Sequence, residues 1–127
     1  MNEMLEKLGQ NAKDAETVLR NLSTNDKNKT LEAVAKALVA HTDEILKANA
    51  LDVENGKKNH MPEGLIDRLM LDEKRIAGIA EGCRQVAALP DPVGVVVQGK
   101  TLPNGLELRQ VRVPLGVVGR SEEHTSE

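Results

Sequence analysis

Val93-Gly94-Val95-Val96-Val97-Gln98-Gly99 and Leu106-Glu107-Leu108-Arg109-Gln110-Val111-Arg112-Val113 flank the tripeptide Pro103-Asn104-Gly105, and this stretch decides how the chain divides. The first run is β-branched and carries two glycines; the second begins with Leu106 and Leu108 on one face. Pro-Asn-Gly between two such runs supplies the positive φ that a tight turn needs. The stretch therefore predicts a β-hairpin with strands at 93–100 and 106–113. Val111 and Val113 are out of phase with Leu106 and Leu108, which predicts a bulge near Gln110. Pro114 interrupts, and Leu115-Gly116-Val117-Val118-Gly119 predicts the start of a fully buried strand.

Upstream, the apolar period changes from strand-like to helical. Leu5, Leu8, Ala12, Ala15, Leu19 and Leu22 step by three and four residues and predict one face of an amphipathic helix ending near Leu22. Ser23 with Asp26 resembles a loose capping box. It opens a longer predicted helix to about Ala48, with Leu31, Val34, Ala35, Leu38, Thr42, Ile45 and Leu46 as its stripe. A short helical piece over 50–55 should stop at Gly56 as its C′ residue. Pro62 suits a helix first turn, carrying Leu65, Ile66 and Leu69. Asp72 should cap the next helix, whose buried face is Ile76, Ile79, Ala80, Cys83, Val86 and Ala87. Pro90-Asp91-Pro92 ends it. The expected class is α+β: N-terminal helices over 1–92, then the hairpin over 93–113.

Composition narrows the functions. The 127 residues allow one domain, and with a mean hydropathy of −0.39 the core must come from aliphatic residues, because Phe, Tyr and Trp are absent. That excludes base-stacking nucleic-acid platforms and aromatic cages on this chain. The net charge is −3 with the signs interspersed, so no basic footprint for nucleic acid exists. No apolar run approaches the roughly 18 residues of a membrane span, and Met1-Asn2-Glu3-Met4 does not read as a signal peptide. A single cysteine, Cys83, excludes an internal disulfide framework and suits a reducing cytoplasm.

The residues that could carry chemistry do not assemble into a site. Cys83 is the only candidate nucleophile, yet it falls in register with Ile76, Ile79 and Val86, where a free cysteine is a small core residue. His41, His60 and His124 are scattered, without the pairing a metal site needs. Asp67, Arg68, Asp72, Glu73, Lys74 and Arg75 form a charge run that reads as a solvated helix junction with local ion pairs. Asn21-Leu22-Ser23 and Asn28-Lys29-Thr30 match a glycosylation sequon, which has no meaning without secretion. Gly116-Val117-Val118-Gly119 is too short for a dinucleotide fingerprint. No catalytic, cofactor-binding or metal residue is expected among these positions.

Four segments together resemble one family. They are Ala48-Asn49-Ala50-Leu51-Asp52; Leu65-Ile66-Asp67-Arg68-Leu69; Arg84-Gln85-Val86 with Leu89-Pro90-Asp91-Pro92-Val93-Gly94; and Arg112-Val113-Pro114-Leu115-Gly116-Val117-Val118-Gly119. In this order they are similar to the N-terminal region of the γ-glutamyl phosphate reductases (glutamate-5-semialdehyde dehydrogenases) of the aldehyde dehydrogenase superfamily, and the resemblance covers residues 1–119. It implies an α/β parent with a dinucleotide-binding domain, a catalytic domain holding a cysteine nucleophile, and a hairpin extension that makes homo-oligomer contacts. It implies NADP(H)-dependent reduction of L-glutamate 5-phosphate to the semialdehyde, in proline biosynthesis in the cytoplasm. By position, 93–113 matches the oligomerisation hairpin and 114–119 the first strand of the dinucleotide-binding domain. The implied catalytic cysteine lies far downstream, so Cys83 is not its counterpart. No cofactor is expected to bind this chain alone.

The resemblance stops at Gly119, where the family continues as an apolar strand. Residues 120–127 instead read Arg-Ser-Glu-Glu-His-Thr-Ser-Glu. This matches the translation of a common short-read sequencing adapter, so the tail is expected to be non-native and the chain a truncated N-terminal part, inactive alone. Two other readings compete: a small helical interaction module whose hairpin pairs with a partner, or a fragment of another aldehyde dehydrogenase.

Overall fold

A computed structural model describes residues 2–120 of the chain. Five helices precede a two-stranded antiparallel sheet: α1 Glu3–Leu19, α2 Thr24–Ala40, α3 Thr42–Lys58, α4 Glu63–Leu69, α5 Glu73–Ala87, β1 Val96–Thr101 and β2 Glu107–Val111. The chain separates into two units. Thr24–Leu89 holds α2 to α5; the segments up to Ser23 and from Pro90 onward hold α1 and the hairpin.

In the helical unit α2 packs along α5. Ala35, Ala80 and Ile76 are at most 1% exposed; the two alanines allow close helix approach and Ile76 fills the space beside them. At one end of the pair Arg84 Nε donates to Glu32 Oε1 at 3.3 Å, an ion pair whose exposure keeps its contribution small. At the other end Val39, Thr42 and Asp43 face Glu73, Lys74 and Ala77 across a shallow depression. The two helices therefore run antiparallel. Burial is narrower than the periodicity predicts: Ile79 and Val86 are about half exposed, and Cys83 is half-buried.

The predicted long helix to Ala48 is two helices. The chain turns at His41, with φ −102° and ψ 19°, and α3 then runs unbroken through Ala48 and Gly56 to Lys58. The break follows from side chains that compete for the ends of α2. His41 Nδ1 lies 2.8 Å from the Ala37 carbonyl, and the Thr42 hydroxyl donates to the Val39 carbonyl at 2.7 Å.

Gly56 is not the C′ residue either. It is buried in α3, where an added Cβ would meet Ile66 Cδ1 at 3.0 Å and Met61 sulfur at 3.4 Å, so it serves the close approach of α4. The left-handed residue that ends α3 is His60, at φ 58°. The Met61 amide donates to the Gly56 carbonyl at 2.9 Å and the His60 amide to Lys57 at 3.2 Å. That is a Schellman motif with histidine where glycine is usual. Pro62 stands at the N-cap of α4 rather than inside its first turn, and Ile66 supplies the buried contact of that helix. Asp72 caps α5 as predicted, accepting from the Arg75 amide at 2.7 Å.

α1 forms over the predicted range but ends at Leu19, and none of its residues is buried. Its stripe, predicted to face a core, is open: Leu5, Leu8 and Leu19 are each more than half exposed.

The hairpin turn is the predicted one. Gly105 has φ 90°, its amide donates to the Leu102 carbonyl at 2.9 Å, and Leu102 and Leu106 close the pair at 2.7 Å. The bulge, however, is on β1. Val96 pairs with Val111 but Gln98 pairs with Gln110, leaving Val97 as the extra residue opposite the expected position. An extra residue on β1 shifts the register between the strands but leaves the alternation of β2 unchanged, so Val111 stays on the opposite face from Leu108. The strands themselves are shorter than predicted, and pairing continues irregularly through Gly94 and Val95 to Arg112.

Leu115 to Gly119 does not form the predicted buried strand. It carries no regular structure, and Leu115 is 90% exposed. A strand needs a neighbour for its amides and carbonyls, and no described segment pairs with this one. Apart from Arg120, the predicted non-native tail lies outside the described residues.

Candidate functional site

The best-organised polar cluster lies at the α4–α5 junction. Asn49 stands on the stripe of α3 between Leu46 and Val53 and is only 8% exposed. Its Nδ2 donates to the Leu69 carbonyl at 2.8 Å and its Oδ1 accepts from the Leu71 amide at 2.9 Å. The carboxamide thus reads the backbone of Leu69 to Leu71 on both its donor and acceptor sides. From the other side, Arg75 donates to the Met70 carbonyl at 2.6 Å, to the Asp67 carbonyl, and to Asp67 Oδ1 at 3.0 Å. Its guanidinium therefore satisfies carbonyls left open at the end of α4. The charge run is a capping device as well as an ion pair. The Asn49 carboxamide is spent on backbone, and the Arg75 guanidinium on backbone carbonyls and the exposed Asp67 carboxylate.

The other candidates stay apart. Cys83 sits half-buried on α5. His41 is engaged at the α2–α3 break, His60 ends α3, and His124 lies outside the described residues. No group of histidine, cysteine and carboxylate side chains among the described residues could hold a metal ion. The surface carries shallow open depressions. One, of about 650 Å³, is lined by Val39, Thr42, Asp43, Glu73, Lys74 and Ala77 at the starts of α3 and α5. Asp43 and Glu73 already supply the negative charge that these helix starts favour, so nothing there calls for an anion. Gly116 has φ 93° in an exposed, irregular segment. No described helix is long and apolar enough to cross a membrane.

Sequence reasoning passed over Asn49. The signal was present: a polar residue three after Leu46 and four before Val53 sits within a buried stripe, where it must find partners. The motifs behind the family resemblance meet in pairs. Asn49, from the first, bonds Leu69, from the second. Gly94, from the third, donates to the Arg112 carbonyl, from the fourth, at 2.9 Å. At these contacts the motifs meet through one side-chain-to-backbone and one backbone–backbone hydrogen bond.

No protein-family model matches the chain. Curated relatives do. The chain is 57% identical over 111 residues to a gamma-glutamyl phosphate reductase of Heliobacterium modesticaldum, covering 87% of this chain and 27% of the relative. It is 53% identical over 113 residues to the protein of that name from Thermobifida fusca, covering 89% and 27%. Among solved structures, the gamma-glutamyl phosphate reductase of Thermotoga maritima superposes with a TM-score of 0.82 at 41% identity, over 89% of this chain and 27% of that one. The Saccharomyces cerevisiae enzyme gives 0.76 at 31% identity, over 85% and 28%. These matches favour the reductase resemblance over a helical interaction module or another aldehyde dehydrogenase. The chain belongs to the gamma-glutamyl phosphate reductase family, and it spans about a quarter of the length of the relatives it matches.

Proposed function

We propose that this chain is the N-terminal part of a γ-glutamyl phosphate reductase. Its parent reduces L-glutamate 5-phosphate to L-glutamate 5-semialdehyde, releasing phosphate as NADPH and a proton become NADP, in proline biosynthesis in the cytoplasm. The observation that carries this reading is the 57% identity over 111 residues to a protein of that name. The parent fold is the α/β fold of the aldehyde dehydrogenases. The N-terminal helical region is assigned to 1–92, the oligomerisation hairpin to 93–113, and the start of the dinucleotide-binding domain to 114–119. Residues 116–119 run irregular and exposed, and the cofactor-binding residues are assigned to other parts of the parent. The reduction belongs to other residues of the parent, and no position here is assigned to catalysis, cofactor or metal.

The hairpin is the part suited to homo-oligomer contacts. Val95, Val96, Val97, Leu106, Leu108 and Val111 are all exposed on it, and a two-stranded ribbon gains stability by adding strands or a packing face. The tail 120–127 is non-native, and resequencing the source locus tests this: an open frame passing Gly119 into an apolar strand supports it, a native stop after Glu127 overturns it.

A chimera tests the function. Residues 2–119 replace the matching quarter of the Heliobacterium modesticaldum relative, and NADP reduction is followed with glutamate semialdehyde and phosphate. Turnover close to the relative's own is expected, while this chain alone gives none. A folded chimera without turnover overturns the proposal.

A further inference from the structure

We draw no further inference here: the strongest candidate, the exposed apolar stripe of α1 formed by Leu5, Leu8, Ala12, Ala15 and Leu19, is a bare helix face and nothing in the structure shows what covers it.

Discussion

Replacing Asn49 by alanine should cost more stability than any other polar substitution in the helical unit. The side chain makes two hydrogen bonds, at 2.8 and 2.9 Å, to the backbone on either side of Met70. Each is worth about 1 kcal/mol net, and a buried partner left unpaired costs about 1–3 kcal/mol. The Leu69 carbonyl and Leu71 amide are only partly buried, so water recovers some of that. The expected loss is about 2–4 kcal/mol. A unit the size of Thr24–Leu89 has about 3–10 kcal/mol in total, so this is a large share. The chain has no aromatic residue and hence no intrinsic fluorescence, so helix ellipticity is the readout. Urea titration of Asn49→Ala should show a lower midpoint with an unchanged slope. Amide exchange at Leu71 should accelerate.

Asn49→Asp separates the two bonds. The carboxylate keeps the Leu71 amide but sets a second oxygen against the Leu69 carbonyl. Its protonated form can donate there, so folding raises its pKa. The native state then binds more protons than the unfolded state, and Asn49→Asp should gain stability as pH falls through the folded pKa. A loss under about 0.5 kcal/mol for Asn49→Ala, with Leu71 exchange unchanged, would refute the reasoning.

His60→Gly should stabilise the helical unit by about 0.5–1 kcal/mol, read as a raised thermal midpoint, because glycine takes the left-handed C′ conformation without the Cβ penalty. Gly78 and Gly56 should respond in opposite directions. Gly78→Ala, with nothing within 4 Å of its Cβ, should gain about 1 kcal/mol of helix propensity. Gly56→Val, whose Cβ arrives 3.0 Å from Ile66, should lose about 1–3 kcal/mol through overpacking, and equal effects at the two sites would contradict the packing described. Cys83→Ala in the chimera should leave turnover unchanged; a large fall in kcat with the fold intact would make the half-buried thiol a working group.

Much of this fold is legible in the order of residues, and the misses share a cause. The Asp72 cap and the Gly105 turn were readable because each is set by neighbours within a few positions. The His41 break was not, since it depends on hydroxyl and imidazole groups winning carbonyls from a helix that the apolar period alone continues. Gly56 misled because glycine serves both helix ends and close helix contacts, and only the approach of Ile66 tells them apart. The stripe of α1 and the run 115–119 were read as buried because periodicity reports which face is apolar, never what covers it. For the site, the scatter of Cys83, His41 and His60 is legible in the sequence, and the structure keeps these three apart. The role of Asn49 is not legible there, as its partners lie twenty and more residues away along the chain.

The antiparallel pairing of α2 with α5 has a topological consequence. Glu32 meets Arg84 near one end, and the start of α3 meets the start of α5 at the other. The points at which the backbone enters and leaves the helical unit, Thr24 and Leu89, therefore fall at the same end of that pair. The unit is a closed excursion, with α3 and α4 nested inside the loop that α2 and α5 shut. Chains arranged this way tolerate insertion and excision well, because adjacent termini can be joined by a short linker. The sixty-odd residues of the excursion could thus have been acquired, or exchanged, without rerouting the segments before and after it.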